Sequence, residues 1–196
     1  MNEKELVKKA QDGDYEAFAQ LISAHQNAVY GLARRLAGNE QDAEDIVQDT
    51  FLKAIDKIDQ FRAEAAFGTW LYAIALNQAR ALLGKRKQTD LRPIEDYLPG
   101  SHTGNEAKEL YDWRDPATRL ESNELRELID RLVSELPYKY REAFLLRYNE
   151  ELSVKEIATM TGESVASTKS RILRARLALR EQLSQYFEES RDPKVS

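Results

Sequence analysis

Between Lys169 and Arg180 the chain carries Lys169, Arg171, Arg174, Arg176 and Arg180 with no acidic residue among them. Cations in such a run neutralise phosphates, and the planar fork of arginine also matches the edges of bases. The plain alternative is a solvated helix face, because arginine is a good helix former and mostly points at water. In a chain of net charge −5 such a face would interleave glutamates for i,i+4 pairing, and this one does not. The run sits in Leu152–Arg180, LSVKEIATMTGESVASTKSRILRARLALR. This reads as a short helix, a turn at Gly162 and a second helix with Ser164 as its N-cap. Ile157, Ala158 and Met160 supply the apolar face of the first helix; Val165, Ile172, Ala175 and Leu179 supply that of the second. Ser167, Lys169, Ser170, Arg171 and Arg174 occupy the opposite side. The pattern predicts a helix-turn-helix whose second helix enters the major groove of duplex DNA.

Two other stretches hold residues that could do chemistry. Phe61–Lys87, FRAEAAFGTWLYAIALNQARALLGKRK, gathers Phe61, Phe67, Trp70 and Tyr72 beside Asn77, Arg80, Lys85, Arg86 and Lys87. Aromatics next to cations can stack unpaired bases and hold a single strand, although Trp70 and Ile74 at i,i+4 spacing most often mean helix packing. Glu40–Asp59 carries Asp42, Glu44, Asp45, Asp49, Asp56 and Asp59. Paired carboxylates can bind metal or move protons, but no histidine is near and the alternating spacing of a calcium loop is missing. Gln48, Asp49 and Leu52, left over from the apolar stripe, suggest a surface that faces another protein, with a solvated face as the alternative. His25 and His102 stand alone in the sequence, and no nucleophile elbow, phosphate-binding glycine loop or metal-ligand motif occurs. Neither an enzyme nor a metal or cofactor site is expected.

The elements that would position these residues are helices throughout, with no period-2 strand pattern. Val7–Leu36 is amphipathic, with Phe18, Leu21, Ile22, Val29, Leu32 and Leu36 at helical spacings. After Gly38, Asn39 caps a helix from Gln41 to about Ile58, with Asp42, Glu44 and Asp45 near its start and Val47, Phe51, Ile55 and Ile58 as its buried stripe. A break at Phe61–Gly68 leads to a helix over Thr69–Lys87. Residues 88–116 hold Pro93, Pro99, Gly100, Gly104 and Pro116 among acids, a flexible acidic linker with at most a short helix near Glu106–Tyr111. Periodicity resumes from Ala117 through Leu120, Leu125, Leu128, Ile129, Leu132 and Leu136. Pro137 then precedes a helix over Tyr138–Tyr148, and Glu188–Ser196 reads as a frayed tail. The fold class expected is all-α: two small helical domains, 6–87 and 117–187, the second containing the helix-turn-helix. With 196 residues, 32% charged and 42% hydrophobic, the composition is that of a globular chain. The lack of cysteine, of a signal peptide and of a long apolar run points to the cytoplasm, without membrane insertion.

Taken together, three blocks in this order resemble the bacterial extracytoplasmic-function (ECF) sigma factors of RNA polymerase. AGNEQDAEDIVQDTFLKAI resembles the family's polymerase-binding helix, FGTWLYAIALNQAR its minus-10 segment, and LPYKYREAFLLRYNEELSVKEIATMTGESVASTKSRILRARLALR its minus-35-reading domain. The resemblance implies a chain that binds core RNA polymerase, through the β′ clamp helices and the β flap, and directs it to promoter DNA. Asp45, Ile46, Gln48, Asp49 and Leu52 match the positions that dock on the clamp helices. Phe61, Phe67, Trp70, Asn77, Arg80, Lys85, Arg86 and Lys87 match the minus-10 region, where the loop Phe61–Gly68 captures a flipped base. Ser167, Thr168, Lys169, Ser170, Arg171, Leu173 and Arg174 match the helix that reads the minus-35 duplex. Thr168 stands where the family has an apolar packing residue, and Ser164 where proline is frequent. The resemblance further implies a linker threaded through a basic channel of the polymerase, and control by an anti-sigma factor.

Overall fold

The computed structural model describes residues 2–86, 94 and 122–191, and the side chains of Lys85, Arg86, Ser122, Asn123 and 189–191 lie outside that description. The described residues are helical, with no strand among them, and the chain divides into two compact units, Met1–Thr89 and Asp90–Ser196. The expected linker and the helix near Glu106–Tyr111 lie outside the described residues. Ile94 is the exception, and it is buried.

The first unit opens with α1 (Glu3–Gln11) and α2 (Tyr15–Ala37). The amphipathic pattern expected over Val7–Leu36 is thus broken at Asp12-Gly13-Asp14. Asp14 caps α2, accepting from the amides of Glu16 and Ala17 at 3.0 Å each. α3 (Glu40–Lys57) begins at Asn39, whose side chain accepts the Asp42 amide at 2.9 Å as expected of a cap. A single 3₁₀ turn, Ile58–Gln60, closes it, and α4 (Phe67–Arg86) follows after an exposed loop. α2 packs against α1, α3 and α4, and α3 packs against α4.

Of the stripe expected on α3, Ile58 is buried and the rest is not. Ala43, Ile46, Thr50 and Ala54 are buried, whereas Val47 and Phe51 are half-buried and Ile55 is exposed. Because α3 packs on both α2 and α4, its small residues occupy the covered row and bulkier side chains flank it. Thr50 is tolerated there because its hydroxyl donates to the Ile46 carbonyl at 2.6 Å.

The second unit comprises α5 (Ser122–Glu135), α6 (Tyr138–Tyr148), α7 (Val154–Thr161) and α8 (Val165–Arg191). α6 and α7 pack on each other, and α5, α6 and α7 each pack on α8. Leu128, Leu132, Leu136, Leu145, Leu146, Ile157, Ile172, Ala175, Leu179 and Leu183 make its core. Arg141 is buried there with its Nη1 donating to the Ser134 carbonyl at 3.0 Å, and burial lowers its pKa from the ordinary arginine value. α8 runs on to Arg191, into the stretch from Glu188 expected as a frayed tail.

α7 is held at both ends by local chemistry. Ser153 and Glu156 form a capping box: the Glu156 amide donates to Ser153 Oγ at 3.2 Å, and the Ser153 amide to Glu156 Oε2 at 2.8 Å. Gly162, at φ 70°, ends the helix in a left-handed conformation that a side chain would strain. Ser153→Ala should lower the stability of the second unit by about 1 kcal/mol, read by urea denaturation. The bonds from Ser153 lower the Glu156 pKa. The stabilisation from this carboxylate is therefore present above the ordinary glutamate pKa and is lost as pH falls through the lowered value. The deficit of the Ser153→Ala variant should accordingly shrink in acid.

Candidate polymerase and DNA interfaces

The acidic surface is the outer side of α3. Burying Ala43, Ile46, Thr50 and Ala54 turns Glu44, Gln48, Asp49 and Leu52 outward, and Leu52 is 56% exposed. Asp45 is half-buried at the margin. Ile46, expected among the docking residues, is 1% exposed. It fills the contact with the neighbouring helices and has no surface to offer a partner. Asp49, Leu52, Lys53, Asp56 and, from α4, Gln78 line a shallow depression, with Lys53 and Asp56 3.9 Å apart across one helical turn. Among the described residues no group of three or more histidine, cysteine, aspartate or glutamate side chains is placed to hold a metal ion.

The aromatic segment follows the packing alternative. Phe61, Phe67 and Trp70 pack on one another, with ring centroids 5.5 Å (Phe61–Phe67), 5.2 Å (Phe61–Trp70) and 5.4 Å (Phe67–Trp70) apart. Phe61 and Phe67 are buried, so their faces are occupied by neighbours and neither can stack an unpaired base in this conformation. Trp70 is half-buried at the edge of the cluster, and the exposed surface is the loop Arg62–Ala66. Ala63 lies in the left-handed region at φ 54°. Gln11 of α1 holds the start of this loop, its Nε2 donating to the Ile58 carbonyl at 3.0 Å and the Phe61 carbonyl at 2.8 Å.

His25, solitary in sequence, backs the other end of the loop. Its ring lies 5.5 Å from that of Phe67 and its Nε2 is 2.9 Å from Glu3 Oε2. A Cβ on Gly68 would approach its Nδ1 to 3.1 Å, so a larger residue there would need the ring to give way slightly. Beyond the cluster, Asn77 is exposed and Arg80 half-buried on α4. Lys87 and the side chains of Lys85 and Arg86 lie outside the described residues, as does His102.

On α8, Thr168, Ile172, Ala175, Leu179 and Leu183 form the buried row, while Lys169, Ser170, Leu173, Arg174 and Arg176 are exposed. Ser164 caps the helix, accepting the Ser167 amide at 3.0 Å. Two expectations change. Thr168 is 1% exposed, its hydroxyl donating to the Ser164 carbonyl at 3.0 Å, so it takes the packing position and cannot meet DNA. Val165, expected in the core, is the first residue of α8 and is 44% exposed. One residue was missed: Glu163, in the turn, pairs with Arg171 at 2.6 Å and accepts from Ser167 Oγ at 3.0 Å. Scanning Lys169–Arg180 for acids could not find it, since it lies eight residues before Arg171.

A helical unit with an acidic outer helix and a loop over an aromatic cluster, and a second unit with a cation-faced helix-turn-helix, fit a DNA-binding protein that also meets a protein partner. Family comparison agrees: "Sigma-70 region 2" matches residues 21–89 and "Sigma-70, region 4" matches residues 126–179. The chain is 36% identical over 185 residues to the ECF RNA polymerase sigma factor SigW of Bacillus subtilis, covering 92% of this chain and 96% of that protein. It belongs to the ECF sigma factors of RNA polymerase, proteins that bind the core enzyme and direct it to promoters, the polymerase performing the chemistry. Two solved structures are similar in fold. CnrH in complex with the cytosolic domain of CnrY has a TM-score of 0.65 at 26% identity, over 93% of this chain and 97% of that one. The sigma factor RpoE in complex with the anti-sigma factor NepR from Bartonella quintana has a TM-score of 0.61 at 26% identity, over 85% and 96%. Among the described residues no helix is long and apolar enough to cross a membrane.

Proposed function

We propose that this sigma factor divides its work among three surfaces, with 6–87 as the polymerase and minus-10 domain, 88–116 as linker and 117–187 as the minus-35 domain. Asp45, Gln48, Asp49 and Leu52 dock on the β′ clamp helices, and the second domain meets the β flap. The loop Arg62–Ala66, with Trp70, Asn77, Arg80 and the Lys85–Lys87 cluster, receives the melted minus-10 strand. Phe61 and Phe67 support that loop from below. Lys169, Ser170, Arg171, Leu173 and Arg174 face the minus-35 duplex, with Ser167 behind them. The observation that supports this most is the pair of uncovered polar faces, acidic on α3 and cationic on α8. An acidic face suits a protein partner and repels DNA, so the free chain should bind promoter fragments weakly and gain affinity once polymerase covers α3.

Control by an anti-sigma factor in the cytoplasm fits the same surfaces, since a partner that covered α3 would exclude the polymerase. Gel-filtration of the chain with purified core polymerase tests the reading. Co-elution, followed by a large increase in affinity for a promoter fragment, is expected. Tight promoter binding by the chain alone, unaffected by polymerase, would reject it in favour of a self-sufficient DNA-binding regulator.

A further inference from the structure

Glu163 stands in the turn between α7 and α8, directly before the cap Ser164, and both its carboxylate oxygens are engaged. Oε1 accepts from Arg171 Nη2 at 2.6 Å and Oε2 from Ser167 Oγ at 3.0 Å. The ion pair is largely shielded, with the arginine side chain 22% and the glutamate 31% exposed. It spans the turn and the first two turns of the helix proposed to face the duplex. An acid at this place is unexpected in a DNA-facing element, because the N-terminus of such a helix is a natural phosphate site. Glu163 occupies the electrostatic position a phosphate would take, and it offsets the charge of Arg171.

We infer that Glu163 is a positioning residue that sets minus-35 base preference by holding Arg171 and Ser167 in one geometry. An unanchored guanidinium can swing to any nearby phosphate, which adds affinity without sequence information. Held along one edge by a carboxylate, the rigid fork keeps its remaining donors aimed in a fixed direction, as reading a base edge requires. Charge is thereby exchanged for orientation. This inference rests on the assignment of α8 to the minus-35 duplex.

The test uses holoenzyme assembled from core polymerase and the native chain, or its Glu163→Gln, Glu163→Ala or Arg171→Ala variant. Each is bound to promoter fragments randomised across the minus-35 element, and the bound fraction is sequenced. Glu163→Ala should flatten preference at the same base pairs as Arg171→Ala, by roughly 5-fold or more. Total binding to the library should hold or rise, and its salt dependence should steepen by about one ion as Arg171 turns to phosphate. Glu163→Gln, which can still accept from Ser167, should fall between. A merely structural role would weaken binding to all sequences alike and leave the preference intact, and that outcome overturns the inference. So does a Glu163→Ala change confined to base pairs that Arg171→Ala leaves alone, which would make Glu163 itself a base reader. If Arg171→Ala also keeps the native preference, Arg171 reads no base and the inference fails, whereas the assignment of α8 fails only if the native holoenzyme itself shows no minus-35 preference.

Discussion

Asp49→Lys is expected to abolish association with core polymerase while leaving the fold intact. Asp49 is exposed on the outer face of α3, beside Gln48 and Leu52, and lines the depression that reaches Gln78 of α4. If this face meets a complementary surface, a charge reversal turns attraction into like-charge juxtaposition, which costs several kcal/mol and lowers affinity by ~100-fold or more. The fold should not notice. Asp45 lies four residues before position 49 and Lys53 four after, so a lysine there gains one favourable helical pair and acquires one unfavourable. Exposed substitutions of this kind shift stability by about 0.5 kcal/mol or less. Gel-filtration with core polymerase, beside a thermal melt of the free variant, measures both halves. Native co-elution would remove Asp49 from the docking face.

Arg171→Ala should cost about 1–3 kcal/mol of discrimination between matched and scrambled minus-35 sites, read by gel shift with holoenzyme. The loss has two parts. The base-directed guanidinium disappears, and Glu163 is left without its cation at the helix start, where it repels phosphate. Arg171→Lys separates them: it keeps a charge near Glu163 but loses the planar fork. That variant should retain much of the salt-dependent affinity and lose most of the discrimination. Unchanged discrimination in Arg171→Ala would show that other residues on α8 read the site.

The helix-turn-helix was legible because each of its signals is local. Gly162 ends one helix, Ser164 caps the next, and the buried positions Ile172, Ala175 and Leu179 repeat at helical spacing. Signals of the same kind at Asp12-Gly13-Asp14 were present but were outweighed by the continuous apolar pattern around them. On α3 the large apolar residues at helical spacing point to Val47, Phe51 and Ile55 as core, yet where the helix packs on two neighbours Ala43, Thr50 and Ala54 fill most of the covered row beside Ile46. That shift of register moved Ile46 inside and Ile55 outside. Composition also could not say whether Phe61, Phe67 and Trp70 face one another or a ligand, since that depends on packing against α2 and on His25, far away in sequence. Glu163 and Gln11 are hidden for a related reason: Arg171 lies eight residues from Glu163, and Ile58 and Phe61 lie far along the chain from Gln11. What sequence carried well was the outer surface of α3 and the exposed cations of α8. What it missed were the residues that hold those surfaces in place.

As a sigma factor, this chain gives core polymerase its promoter. Run-off transcription measures that directly, with purified core polymerase on a linear template whose upstream element is a fragment selected by the holoenzyme. A transcript of the defined length is expected only when chain and core are both present, and it should vanish when the minus-10 or minus-35 element is scrambled. A product no greater than that of core polymerase alone, or one indifferent to scrambling, would contradict the account.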